Sequence, residues 1–245
     1  LEINSFVAGR WVGPGAGARE IENAVTGAVM ARAGNDDLDM QAMLDHACDV
    51  GGPALRALTF HDRARMLKAL ATHLGKHKQA LYDISFASGA TQKDHLIDID
   101  GGIGTLFVFA SKGRREMPDQ HIHVDGDVER LSRNGTFLGQ HVATPLRGAA
   151  IHINAFNFPV WGMLEKLAPT LLAGMPAIVK PATATSYITE LAVRIMLDSG
   201  ILPQGALQLV TGGVGDMLDR LGSQDAVGFT GSAATALTLR SSPVP

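Results

Sequence analysis

A chain of 245 residues with 46% hydrophobic and 18% charged residues has a globular rather than a disordered composition, and one or two domains fit its length. A net charge of −3 gives no electrostatic reason to expect nucleic acid or an anionic membrane as a partner, and the basic cluster at residues 112–115 reads as a solvated helix end. No apolar run approaches the ~20 residues of a membrane span, the start lacks a signal pattern, and a single cysteine rules out an internal disulfide and fits a reducing cytoplasm.

Residues 2–34 carry short strand-like pieces, EINSFVAGRWV and REIENAV, between glycine-rich turns. Asp36 or Asp37 is placed to cap a helix through about Val50, in which Met40, Met43, Leu44 and Ala47 have helical spacing. Thr59 and Asp62 form a capping-box pattern with Asp in place of the preferred Glu. Leu67, Leu70, Leu74, Leu81 and Ile84 carry the periodicity on to Gly89, and Gly75 reads as a break between two helices. Residues 93–116 read as a further helix despite Gly101, Gly102 and Gly104. Each glycine costs ~1 kcal/mol against alanine, and close helix packing is the expected return. GGIG lacks the lysine and the preceding strand of a phosphate loop.

Residues 119–145 change character. Residues 121–124 and 128–133 alternate, Asn134-Gly135 is a strong hairpin signal, and residues 136–144 supply the return strand. His121 and His123 share one strand face in this reading, but no third or fourth ligand is apparent and no metal is assigned. Cys48 lies on an apolar helical face between Ala47 and Asp49 and reads as a structural thiol, not a nucleophile.

Residues 149–183 read as strand, turn, helix, strand. An apolar run at 149–153 is followed by the breakers Asn154, Asn157 and Pro159. Leu164, Leu167, Leu171 and Leu172 then lie on one side of a helix over 160–173, which Gly174 stops. A second apolar run at 177–179 ends on Lys180 and Pro181. Asn157 and Lys180 thus fall at the carboxyl ends of two strands, the edge where open α/β sheets bind ligands. Thr185 is expected to cap a helix ending at Gly200. A strand at 206–210, a glycine turn at 212–215, a short helix at 216–221 and a strand at 226–229 follow, and Thr230-Gly231-Ser232 opens a last helix cut off around Arg240. The order predicts an α/β fold with a Rossmann-like parallel sheet and flanking helices, plus a protruding β-hairpin.

INAFNFP, then VKPAT, then GFTGS at residues 228–232 resemble, in order and spacing, the (W/F)NFP turn, the (V/M)KPAE-type strand end and the FTGS element of the aldehyde dehydrogenase superfamily. The fuller strings, with DIDGGIGTLF and FTGSAAT, are similar to one branch: the aldehyde dehydrogenase part of the bifunctional ring-opening proteins of bacterial phenylacetate degradation. The resemblance runs from Phe6 to about Arg240. It implies a dinucleotide-binding domain, incomplete, from residues 1–118 and 146–245. It also implies an arm at 119–145 that joins subunits of a homo-oligomer. Asn157 is the implied catalytic residue, its amide N–H stabilising a tetrahedral oxyanion. Lys180 is implied to bind the adenosine ribose hydroxyls, Ser232 with Gly231 the pyrophosphate at a helix N-terminus, and Gly212 to lie beside adenine, although GGVG carries an extra residue. Ile153, Asn154, Ala155, Phe156, Ala182, Thr183, Phe229 and Thr230 complete the implied cofactor contacts.

Thr183 stands where NAD-preferring members commonly carry a glutamate, so no carboxylate repels a 2′-phosphate; NADP is expected, with NAD as the alternative. The implied substrate is a semialdehyde, a CoA-linked aromatic ring-cleavage product oxidised to a carboxylic acid. In the family, the general-base glutamate and the nucleophilic cysteine lie well beyond FTGS, and this chain stops before both. The expectation is an N-terminal fragment without the catalytic domain and without activity of its own. The bland readings are an Asn157 that serves only its turn, a Lys180 that snorkels to water and a Ser232 that is a plain N-cap. A rival reading of the whole is a non-catalytic nucleotide-binding or assembly module.

Overall fold

The computed structural model describes residues 1–36 and 38–241. Five short strands open it: β1 (Glu2–Ile3), β2 (Ser5–Val7), β3 (Arg10–Val12), β4 (Arg19–Glu22) and β5 (Val29–Ala33). β1, β5 and β4 form a small sheet of their own, whereas β2 and β3 extend the main sheet as an antiparallel edge.

Helix α1 (Met40–His46) is capped by Asp39, whose side chain accepts from Ala42 N at 2.9 Å. This corrects the expectation of Asp36, whose carboxylate instead accepts from Gly17 N; Asp37 lies outside the described residues. The helical path continues through a π-helical turn, Ala47–Gly51, into α2 (Gly52–Arg56).

Helix α3 (Phe60–Ser85) begins with a complete capping box between Thr59 and Asp62. It runs unbroken through Gly75, against the predicted break. Leu67, Leu70, Ala71, Leu74 and Leu81 are fully buried on both sides of the glycine, and that burial far outweighs the ~1 kcal/mol a helical glycine costs. A short 3-10 turn, Phe86–Ser88, leads to α4 (Gln92–His95), a π-helical turn Leu96–Asp100, and α5 (Gly101–Glu116). Two of the three glycines there bring helices together as expected. A Cβ on Gly102 would lie 2.9 Å from Trp161 Cα, and one on Gly101 would lie 3.0 Å from the Trp161 ring. Gly104 faces open space and has no such role.

Strands β6 (His123–Arg130) and β7 (Leu138–Ala143) form a separate antiparallel hairpin. Its loop is longer than the two-residue turn that Asn134-Gly135 suggests. Leu131 N donates to Phe137 O, and Ser132 Oγ accepts from Phe137 N, so the strands stop pairing before the Asn-Gly pair is reached. His121 precedes β6, so the shared strand face with His123 is not formed.

The main sheet follows: β8 (Ala150–Ile153), α6 (Trp161–Leu172), β9 (Ala177–Lys180), α7 (Ser186–Asp198), β10 (Leu207–Leu209), β11 (Ala226–Phe229) and α8 (Ala233–Ser241). Its strand order is β11-β8-β9-β10-β2-β3, and β8 through β11 pair in parallel. Side chains alternate between two cores. Ala177, Val179 and Leu207 face α3, α5, α6 and α7, while Ile151, Ile153, Ile178 and Val210 face α1 and its neighbours. Both faces of the parallel part are therefore covered, as such sheets require.

Candidate active site

Counted along the chain, the four parallel strands lie in the order third, second, first, fourth. The direction of winding reverses between β8 and β11, and a crevice opens there at the carboxyl ends of the strands. β8 ends beside both neighbours: Ile153 is in register with Lys180 and with Phe229. Thr230 N donates to Ile153 O at 2.9 Å, and Asn154 N to Lys180 O at 3.0 Å.

From that point the chain climbs out of the sheet. Asn154 is buried, Phe156, Asn157 and Phe158 are exposed, and Pro159 and Val160 return to the interior. The excursion is held from outside. Thr185 Oγ1 donates to Phe156 O at 3.0 Å, and Thr189 Oγ1 donates to Pro159 O at 3.2 Å. The Asp98 carboxylate accepts from Val160 N at 3.1 Å and from Trp161 N at 2.7 Å. Among the described residues, nothing hydrogen-bonds the side-chain amide of Asn157. It lines a cavity of about 210 Å³ with Ala155, Phe158, Trp161, Gly162, Glu165 and Thr230.

Asp98 supplies its carboxylate to the N-terminus of α6, where a helix has free N–H groups and a positive dipole end. Burial pushes its pKa up to about 6, while the two backbone N–H donors pull the other way. Thr185 occupies the expected cap position of α7, but its hydroxyl is spent on Phe156 and makes no cap hydrogen bond. This corrects the capping role predicted for it.

Lys180 is half-buried at the end of β9, and burial holds its ammonium below the usual lysine range. No carboxylate among the described residues pairs with it. Ala182 leads into a 3-10 turn, Thr183–Thr185, at the same sheet edge. Gly212 follows β10 with φ +104°, and a Cβ there would lie 3.1 Å from Gly34 Cα, so the position needs glycine whatever binds nearby. A Cβ on Gly231 would lie 2.5 Å from the Phe229 ring. Ser232 Oγ accepts from Thr235 N at 3.1 Å, which is the plain N-cap interaction weighed above.

Of the predicted residues, Ala155, Asn157 and Thr230 meet in the cavity, while Lys180, Thr183 and Ser232 stand along the same edge without lining it. Sequence reasoning passed over Asp98, Thr189, Trp161, Gly162 and Glu165. Trp161 and Gly162 follow the turn directly and could have been found. Asp98 heads the DIDGGIGTLF string, but it lies 62 residues from Val160, and nothing local marks it as an anchor for the turn.

Cys48 is remote from this edge. Burial raises its thiol pKa, followed by the negative field of Asp225. Asp225 precedes β11 and accepts from Ala149 N just ahead of β8, at the amino ends of both strands. Among the described residues no group of three or more His, Cys, Asp or Glu side chains could hold a metal ion, and no helix is long and apolar enough to cross a membrane.

The aldehyde dehydrogenase family model matches residues 11–242. The chain belongs to that family. It is 42% identical over 245 residues to the 3,4-dehydroadipyl-CoA semialdehyde dehydrogenase of Aromatoleum evansii, covering 99% of this chain and 47% of the relative. It is 27% identical over 201 residues to the D-glyceraldehyde dehydrogenase (NADP(+)) of Picrophilus torridus, covering 80% of this chain and 38% of the relative. Among solved structures, betaine aldehyde dehydrogenase of Staphylococcus aureus in complex with NAD+ superposes with a TM-score of 0.82 at 23% identity, over 98% of this chain and 48% of that one. This aldehyde dehydrogenase chain therefore spans about half the length of these relatives. The likeness confirms the Rossmann-like α/β fold predicted from the order of the elements.

Proposed function

We propose that the chain is the dinucleotide-binding part of an NADP-preferring aldehyde dehydrogenase that oxidises a CoA-linked semialdehyde to a carboxylic acid. The observation that carries this reading is the unengaged amide of Asn157, on an externally held turn, at the crevice of a Rossmann-like sheet in a member of this family. Attack of a thiolate on an aldehyde carbonyl turns its oxygen into an oxyanion. Asn157 Nδ2–H donates to that oxygen and lowers the barrier, an effect worth ~2.7–4 kcal/mol for one such donor. The thiolate comes from outside this chain's site, because Cys48 lies at the opposite edge.

A nicotinamide dinucleotide, when bound, accepts the hydride. The residues present fit such a group: among the described residues, Lys180 is a half-buried cation without a carboxylate partner, and both polar side-chain atoms of buried Asn154 lack a partner. Lys180 and Thr183 would hold the ribose end, and the N–H groups of Ala233 and Ala234, after Ser232, would hold the pyrophosphate. Thr183 offers a hydroxyl and no negative charge to a 2′-phosphate, which favours NADP. The CoA link follows from the name of the 42%-identical relative; that name carries the semialdehyde but not phenylacetate, which stays an expectation of the motif resemblance. The hairpin at 119–145 is the proposed arm between subunits.

In the natural protein that carries this chain, Asn157→Ala is expected to lower kcat by about 10²–10³-fold and leave dinucleotide affinity nearly unchanged. Unchanged turnover sinks the assignment. For the cofactor, Thr183→Glu is expected to shift the ratio of kcat/KM values toward NAD; an unchanged ratio, or a strong wild-type preference for NAD, refutes the role given to Thr183. In the rival reading, a non-catalytic nucleotide-binding or assembly module, the fold and the 119–145 hairpin serve subunit association only, and an intact mass of the natural protein near the 25.8 kDa of this chain would favour it.

A further inference from the structure

The backbone on both sides of Asn157 is held by three side chains from two distant elements. Phe156 O and Pro159 O receive the hydroxyls of Thr185, at the start of α7, and Thr189, within it. Val160 N and Trp161 N donate to Asp98, in the π-helical turn before α5. The donors and acceptors are complementary: hydroxyls meet carbonyls and a carboxylate meets N–H groups. Among the described residues, nothing else holds 157 and 158 between the anchors, apart from the in-turn bond from Gly162 N to Phe158 O at 2.8 Å. The lone carboxylate is itself well fixed. Asp98 is 7% exposed, and Gly101 and Gly102 just after it admit Trp161 against the start of α5.

Resting on the reading of Asn157 given above, we propose that Asp98 is a positioning residue for the reaction: with Thr185 and Thr189 it fixes the Asn157 amide where the oxyanion forms. Asp98 touches neither substrate nor cofactor. It acts through the backbone at 160 and 161, and so its loss lowers the rate of the chemical step while dinucleotide binding is retained. A misplacement of about 1 Å at a reacting group costs about 10²-fold in rate, which bounds the effect.

The test is steady-state kinetics on the natural protein, with single and double substitutions. Asp98→Ala is expected to lower kcat about 10–100-fold with the dinucleotide KM changed by less than about twofold. Asp98→Asn keeps one acceptor oxygen and is expected to recover most of that loss. In an Asn157→Ala background, Asp98→Ala should add little, because the group it positions is gone. If Asn157→Ala alone leaves turnover unchanged, the catalytic reading of Asn157 fails and the positioning role falls with it. If Asn157→Ala impairs turnover but Asp98→Ala does not, or lowers kcat by the same factor in both backgrounds, the positioning inference alone is overturned. Should Asp98→Ala fail to fold by circular dichroism, Thr185→Val carries the test. It removes one hydroxyl from the same clamp, and a several-fold loss of kcat that vanishes in the Asn157→Ala background is expected; an unchanged kcat, or a loss that persists there, overturns the clamp.

Discussion

Lys180 is a cation drawn partly out of water with no anion among the described residues to meet it, an arrangement that costs stability unless a ligand supplies the counter-charge. Lys180→Met is therefore expected to raise Tm slightly and to weaken dinucleotide binding about tenfold, in line with the loss of one charge-assisted hydrogen bond; calorimetric titration and thermal melts check both signs. His152 shows the same physics in a buried imidazole. Its Nε2 lies 3.1 Å from Thr170 Oγ1, and burial, then Lys166, lower its pKa from 6.5 to about 4. The unfolded chain thus takes up the proton first, and this histidine makes stability fall as the pH falls from about 6.5 to 4, by about 2 kcal/mol at pH 5. Asp98 has the opposite sign: with a folded pKa of about 6 against 3.8, it keeps its proton in the folded state and makes stability rise as the pH falls from about 6 to 3.8. The two effects oppose each other, and His152→Gln should remove only the first. Urea unfolding at pH 7 and pH 5 is expected to show a variant that gains stability on acidification relative to wild type; parallel behaviour of the two would contradict the buried neutral imidazole.

Helix α6 is served at each end by a buried charge of the right sign. Asp98 meets its N-terminus, and Arg63, fully buried with a pKa lowered to about 10 by burial, approaches the turn that ends it at Gly174. Its first turn also leans on Gly102. Gly102→Ala must displace Trp161 and is expected to cost about 1–3 kcal/mol. Gly104→Ala meets nothing within 4 Å and should gain about 1 kcal/mol of helix propensity, or about 2–4 °C in Tm. Differential scanning of the two variants checks the contrast, and equal shifts would contradict the packing role of Gly102. The sequence allowed the helix of Gly101–Glu116 to be found and its glycines suspected, since periodicity is local. It could not distinguish Gly102 from Gly104, because that depends on which side faces Trp161. Likewise the strand-turn-helix around Asn157 was legible from motif and spacing, while its anchors Asp98 and Thr189 were not: hydrogen bonds across 62 and 30 residues leave no periodic trace. The predicted break at Gly75 misjudged a local penalty that long-range packing overrode.

At the scale of the whole molecule, the hairpin and the outer strand of the main sheet present unpaired edges. Val124, Val128, Leu138 and Val142 on the hairpin and Val227 on β11 are all exposed, a combination that favours strand pairing with another copy. The chain by itself is expected to self-associate, and Val142→Lys with Leu138→Lys should shift it toward smaller species in sedimentation velocity. A compact monomer at high concentration in the unmodified chain would count against the arm.

The pairing of β2 with β10 sets a timetable for synthesis. Ala8 N donates to Gln208 Oε1 across 200 residues, and Ser5 and Thr211 bond each other just beyond. At roughly 5–20 residues per second, the β2 segment leaves the ribosome about 10–40 s before the strand that receives it. During that interval only β8 and β9 of the parallel strands can pair: β11, on the crevice side, follows β10 in the chain, and the β2–β3 ribbon waits without the strand that joins it to the sheet. Arrested nascent chains in which Gln208 has not emerged from the ribosome should therefore be cut by protease within residues 5–12, and chains extended far enough for Thr211 to clear the exit tunnel should not.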